Sequence, residues 1–130
     1  MIVVRQFETQ AGEGKYSLRA AVSFAGDDIV VIIAGGTREH IGAVSLATPR
    51  KSLADDSISA TASVLCLSGH KEDMWARSAS LKIAALCNTN VLVSVGVHVD
   101  NAGSSDLQIL EDNFKKLLLN IKRQLSNNLP

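Results

Sequence analysis

The stretch Ile29–Gly36, "IVVIIAGG", carries no polar side chain over eight residues. A strand that faces water on one side alternates apolar and polar residues. This one does not, so both faces need cover, which suits a central strand of a sheet. "VLVSVGV" (91–97) is a second apolar strand, interrupted by one serine. "ATASVLCLS" (60–68) reads as a strand too, and from Lys71 to Cys87 the spacing turns helical, with Trp75, Ala79, Ile83 and Leu86 on one side. Strand, helix and strand within about forty residues has the length of a βαβ crossover, so strands 60–68 and 91–97 are expected to run parallel through a right-handed connection.

The rest of the chain fits around that unit. Residues 2–8 read as a strand, "QAGEG" as a loop and "KYSLRAAVSF" (15–24) as a second strand, with "AGDD" turning into the central run. "HIGAVSLAT" follows and suits an antiparallel return. "PRKSLADDSIS", with its proline, small polar residues and both charge signs, reads as a long surface loop. At the C-terminal end Leu107, Leu110, Phe114, Leu117, Leu118, Ile121 and Leu125 recur at three- and four-residue steps. They mark an amphipathic helix that packs on a sheet, opened by a capping box at Ser105 and Gln108. The order βββββ-α-β-α defines an α/β (α+β) fold, a mixed β-sheet with two helices covering one face and a single domain over residues 1–130. A sheet face left apolar would be covered by a second copy of the chain, so a homo-oligomer is expected.

Charge narrows the partners. Thirteen basic and thirteen acidic side chains cancel, and aromatic residues make up only 4%. Neither a basic face nor a stacking platform is available for nucleic acid, and no apolar run is long enough to span a membrane. The N-terminus "MIVVRQFETQ" has no charged leader with a cleavage site, which gives a cytoplasmic expectation. Cys66 and Cys87 match no metal or redox spacing and read as buried free thiols.

The chemistry concentrates where strands end. In "LSGHKED" a strand stops, Ser68-Gly69 turn, and a helix begins near His70. Glu72 and Asp73 in its first turn complement the helix dipole, which is reason enough for their presence. His70 gains nothing from that dipole, and the first turn also offers backbone N–H groups to an anion. In "GVHVDNAG", Gly96 signals close approach of another backbone or a ligand. His98 and Asp100, two apart, share a side if the strand runs through them and could then bind a divalent metal; with Asn101 they equally suit a plain Asx loop. Ligands in open α/β sheets bind beyond the carboxyl ends of strands, and a βαβ unit brings residues 68–73 and 98–101 to one edge. "GGTREHIG" adds Arg38, His40 and Gly42 at a glycine-rich turn that lacks the P-loop pattern. Arg50 and Lys51 on the following loop suit a phosphate by fork and point charge, or simply solvent.

Four motifs in order, "GG…HIG", "PR.SL", "SGHKED" and "HVDN", resemble those of the prenylated-flavin chaperone family (LpdD-like), small D subunits of gallate and hydroxyarylic acid decarboxylase systems. The resemblance covers residues 30 to about 115; Lys51 stands where the pattern leads one to expect proline. It implies a non-catalytic accessory protein that binds prenylated FMN from a flavin prenyltransferase and assists its delivery to a UbiD-like decarboxylase. It places His40, Gly42, Arg50, Lys51, Ser68, Gly69, His70 and Asn101 as cofactor-binding residues, with Ile41, Ala43 and Trp75 lining an apolar slot. His70, Asp73, His98 and Asp100 are the candidate ligands of a divalent metal ion that would meet the phosphate. The alternative is a small metal-dependent enzyme acting on a phosphorylated substrate through the same His/Asp site; a purely structural subunit is the third reading.

Overall fold

The computed structural model describes residues 5–67 and 72–127. Its elements are β1 (Gln6–Ala11), β2 (Leu18–Ala25), β3 (Asp28–Gly36), β4 (Arg38–Lys51), β5 (Ile58–Cys66), α1 (Glu72–Cys87), β6 (Val91–His98) and α2 (Ser104–Asn127), with one 3-10 turn at Gly14–Tyr16. The six strands form one mixed sheet in the order β1-β2-β3-β6-β4-β5. Only β3 and β6 pair in parallel; every other neighbouring pair is antiparallel. The α/β class, the element order and the central place of β3 are as the sequence implies.

Strand neighbours differ from the expectation at two points. β6 inserts between β3 and β4, so β4 does not form a hairpin with β3. β5 and β6 run in the same direction, as a crossover requires, but β4 lies between them and is antiparallel to both. The physical reason is burial: β6, apolar on both faces, gains most from the centre, while β5, carrying serine and threonine at alternate positions, tolerates the edge. The long loop also contracts. β4 continues to Lys51 and β5 starts at Ile58, leaving residues 52–57 as a hairpin turn in which the Asp55 carboxylate accepts from the Ser57 N–H at 2.8 Å. Pro49 is accommodated because β6 pairs with β4 only as far as Ala47, so the missing N–H leaves no bond to β6 unmade.

Both helices pack on the same sheet face, α1 over β4, β5 and β6 and α2 over β1 and β2. Leu18, Val31, Ile33, Ile83, Val93, Leu117 and Ile121 are buried in the layer between. Each large side chain removed from water there contributes about 1.5–3 kcal/mol before chain entropy is charged against it. Buried in the same layer, Ser45 of β4 and Ser80 of α1 hydrogen-bond each other at 2.7 Å. Trp75 of α1 stacks on Phe114 of α2, with centroids 4.9 Å apart and planes 6° from parallel. α2 starts one residue before the expected cap. Asp106, not Gln108, reaches back, its carboxylate accepting from the Gly103 N–H at 2.9 Å, while Gln108 donates to Asp112. The other Asp106 oxygen takes the Tyr16 hydroxyl, tying α2 to the turn after β1. Cys66 is exposed rather than buried. Cys87 is half-buried, and that burial pushes its thiol up.

Candidate functional site

The carboxyl ends of β3, β5 and β6 meet the amino end of β4 at one edge of the sheet: Gly36 lies opposite His98, His98 opposite Arg38, and Cys66 level with Ala43. α1 and α2 both begin near that edge. The register of β4 against β6 breaks there. Glu39 faces Val97 and Ala43 faces Val95, so His40, Ile41 and Gly42 together face the single Gly96. Such a bulge re-aims a side chain that regular pairing would send elsewhere. Gly96 is what permits it, since a Cβ there would lie 1.4 Å from the His40 carbonyl oxygen. The close backbone approach read from Gly96 is therefore made by β4 of the same chain.

The bulge brings His40 to α1. Its Nε2 is 3.3 Å from Oε2 of Glu72, the first described residue of that helix. The Glu72 carboxylate is about nine-tenths buried and lies in the space left by Gly42, where a Cβ would come within 1.3 Å of Oε2. Among the described residues the buried His40 Nδ1 has no hydrogen-bond partner, and the buried Glu72 Oε2 has only the ion-pair contact with His40 Nε2. An imidazole nitrogen removed from water without a partner costs typically about 1–3 kcal/mol. The sequence offers the helix dipole as a local reason for Glu72 and does not mark it as a site residue. Its spacing from Gly42 carried no signal, because the contact is purely tertiary.

Glu72 joins this pair to a second one. It lines a cleft of about 610 Å³ together with Asp73, Met74 and Trp75 of α1, Val97, His98 and Val99 at the end of β6, and Ala102, Leu107 and Leu110 at the start of α2. His98 Nε2 is 2.9 Å from Asp100 Oδ1, although β6 has already ended. The turn that allows this contact uses Asn101 in the left-handed region (φ 55°), a conformation asparagine tolerates better than most residues. The His98 carbonyl accepts from the Thr37 N–H at 2.6 Å and from the Thr37 hydroxyl at 3.1 Å, which fixes the strand end beneath the imidazole. The walls are apolar and the rim carries two carboxylates and an imidazole. Among the described residues no lysine or arginine lines it.

The remaining candidates divide clearly. His40, Gly42, Asp73, His98, Asp100 and Asn101 gather at this edge. Ser68, Gly69 and His70 lie outside the described residues. Arg50 and Lys51 do not join the others: they sit ten residues further along β4, roughly 30 Å away at strand spacing, where Arg50 Nε donates to Thr61. The reason is the one that shortened the loop, since β4 continues straight through both. Of the lining residues, Trp75 faces the cleft, Ile41 is exposed and Ala43 is buried. Among the described residues no three His, Cys, Asp or Glu side chains converge as metal ligands.

The family model of the prenylated flavin chaperone LpdD-like domain matches residues 12–126. The chain belongs to this family. The match extends the likeness carried by the four motifs to residues 12–126, taking in β2 and all but the last residue of α2, while β1 precedes it. No curated protein matches the chain. Among solved structures it is similar to a chain from the crystal structure of a novel chaperone complex for yeast 20S proteasome assembly, at 14% identity, TM-score 0.68 and coverage of 99% of this chain and 100% of that one. That similarity is one of fold. Among the described residues no helix is long and apolar enough to cross a membrane.

Proposed function

We propose that this chain is a non-catalytic carrier that binds prenylated FMN, received from a flavin prenyltransferase, and hands it to a UbiD-like decarboxylase. The observation that carries the reading is an apolar-walled, acid-rimmed cleft in a chain matched to this family over residues 12–126. Its volume is within the range of small-molecule sites, and Trp75, Val97 and Leu110 offer flat and aliphatic surface to a ring system. Glu72 and Asp73 can accept hydrogen bonds from ring N–H groups. They would repel a phosphate, so the phosphate belongs outside the rim. There Arg38, exposed and opposite His98 in the strand register, is the nearest cation that the pairing supplies. Bound flavin would supply the redox chemistry, while the protein's residues orient it and shield the ring from water.

Trp75 is the only tryptophan, so its fluorescence reports the cleft directly. Anaerobic titration with reduced prenylated FMN should quench it saturably, and ordinary FMN should bind more weakly. Running both with and without a divalent cation tests whether an ion takes part. Leu107→Lys at the cleft mouth and Arg38→Ala at the phosphate position should each weaken binding about tenfold, or about 1.4 kcal/mol. Absence of saturable quenching by prenylated FMN under all conditions would overturn the proposal.

A further inference from the structure

The helices cover one face of the sheet and leave the other open. Facing away from them, in register across the strands, are Ala21 and Ser23 of β2, Val30, Ile32 and Ala34 of β3, Leu92 and Ser94 of β6, Val44 and Leu46 of β4, and Ser63 and Leu65 of β5. None of these is charged. Ile32 and Leu46 are each 53% exposed and Leu65 is 74% exposed. Among the described residues charge appears at the margin, as Glu8, Asp28, the Arg19–Glu39 ion pair and Arg50. An uncharged apolar centre inside a charged rim is the anatomy of a protein interface.

We propose that this face is the contact between two copies of the chain, packed sheet to sheet. Six strands at about 4.8 Å spacing and five residues of each give a projected footprint of roughly 500 Å². Two such faces, with side-chain relief, bury roughly 1,200 Å² or more, which reaches the size of stable protein interfaces. The pattern of bulk selects a second copy. One row reads Ala21, Ile32, Ser94, Val44 from β2 to β4, and the next reads Ser23, Val30, Leu92, Leu46. A two-fold axis along the strands between β3 and β6 sets Ile32 over Ser94, Ala21 over Val44 and Ser23 over Leu46, with Val30 over Leu92 at the centre and Leu65 over Glu8 at the margin. Large meets small at the first three places and two aliphatic side chains meet at the centre, a self-complementary pattern of the kind an isologous interface uses. The formal net charge is zero, so two copies carry no net repulsion. Both clefts open on the helix side and remain accessible in the pair.

Sedimentation equilibrium tests this between about 1 and 100 µM, a range spanning micromolar self-association. The full chain should show twice the 13.8 kDa of one copy. Leu46→Arg should give one copy while keeping the native circular dichroism, and Leu119→Arg, on the exposed outer side of α2, should leave the dimer intact. If Leu46→Arg fails to fold, Ser63→Arg carries the test, because Ser63 is already polar and exposed. A monomer throughout the range, a dimer that survives the folded sheet-face variant, or a dimer lost in Leu119→Arg would each overturn the proposal.

Discussion

A single methyl group at Gly42 or at Gly96 separates the site from the fold that carries it. Neither glycine has left-handed backbone, so each substitution is decided by space alone. At Gly42 the new Cβ lies 1.3 Å from Glu72 Oε2 and 3.0 Å from the Val95 carbonyl. Oε2 is the far end of a flexible side chain that borders a cleft, so Glu72 swings out and gives up its contact with His40. That contact is worth about 1–2 kcal/mol at this burial, and alanine recovers about 0.4–1 kcal/mol by restricting the unfolded chain. The net loss is about 1 kcal/mol, or about 4 °C in Tm for a chain of this length. At Gly96 the Cβ meets the His40 carbonyl oxygen at 1.4 Å and its carbon at 2.3 Å. Both are backbone atoms, so the bulge itself has to lift, at a cost of about 3 kcal/mol or more and about 11 °C or more in Tm. Differential scanning calorimetry of Gly42→Ala and Gly96→Ala reads the difference, and flavin titration of the folded Gly42→Ala protein reads the loss at the site. A Gly42→Ala protein as unstable as Gly96→Ala would refute the reasoning, because Glu72 would then be supporting the fold rather than occupying a space beside the cleft.

Two further expectations concern the polar groups that tie the helices down. Ser80 already donates to the Arg77 carbonyl at 3.1 Å, so Ser45 is the donor in the buried Ser45–Ser80 pair. Ser45→Ala should cost about 1–2 kcal/mol, and the double alanine variant should cost less than the two single losses combined; strict additivity in a urea denaturation cycle would deny the pairing. Asp106 is held below the usual carboxylate range, first by the Tyr16 hydroxyl and then by the Gly103 N–H. Its folded value lies below its unfolded one, so its stabilisation is fully present above the ordinary carboxylate pKa and is lost as pH falls through the folded value. The stability gap between wild type and Asp106→Asn should therefore close on acidification from pH 6 toward 3; a gap that widens would show the sign to be wrong.

Periodicity made the elements legible but not their neighbours. The leucine steps of α2 and the unbroken apolar run of β3 follow from which side chains must leave water, and both can be read locally. Strand order depends on which exposed faces and edges remain after everything else has packed. Nothing local in "HIGAVSLAT" says that β6, arriving some fifty residues later, will displace β3 as its partner. The loop expected at Pro49–Ser59 failed for a related reason. Proline and serine lower strand propensity, yet "SISATASVL" alternates small polar with apolar residues, a strand signal that the proline overrode. Propensity yielded there to the cross-strand pairing of β4 with β5, which runs on to Lys51 and Ile58.

The site was legible in outline because chemistry and topology agree on it: histidine and carboxylate at the ends of strands that emerge on one edge. Its centre was not. Glu72 has a sufficient local explanation in the helix dipole, which hides its tertiary contact. What distinguishes it from Asp73 is burial, produced by a glycine thirty residues upstream whose absent side chain leaves room for the carboxylate. The partly buried His40 imidazole and the buried Glu72 carboxylate face each other at 3.3 Å, and an ion pair at this burial adds little to stability over apolar side chains in the same space. The Glu72 and Asp73 carboxylates at the wall of the cleft also favour one polarity in whatever enters: hydrogen-bond donors inward, anionic groups outward. A flavin mononucleotide has its ring N–H at one end and its phosphate at the other, and can satisfy both demands in one orientation.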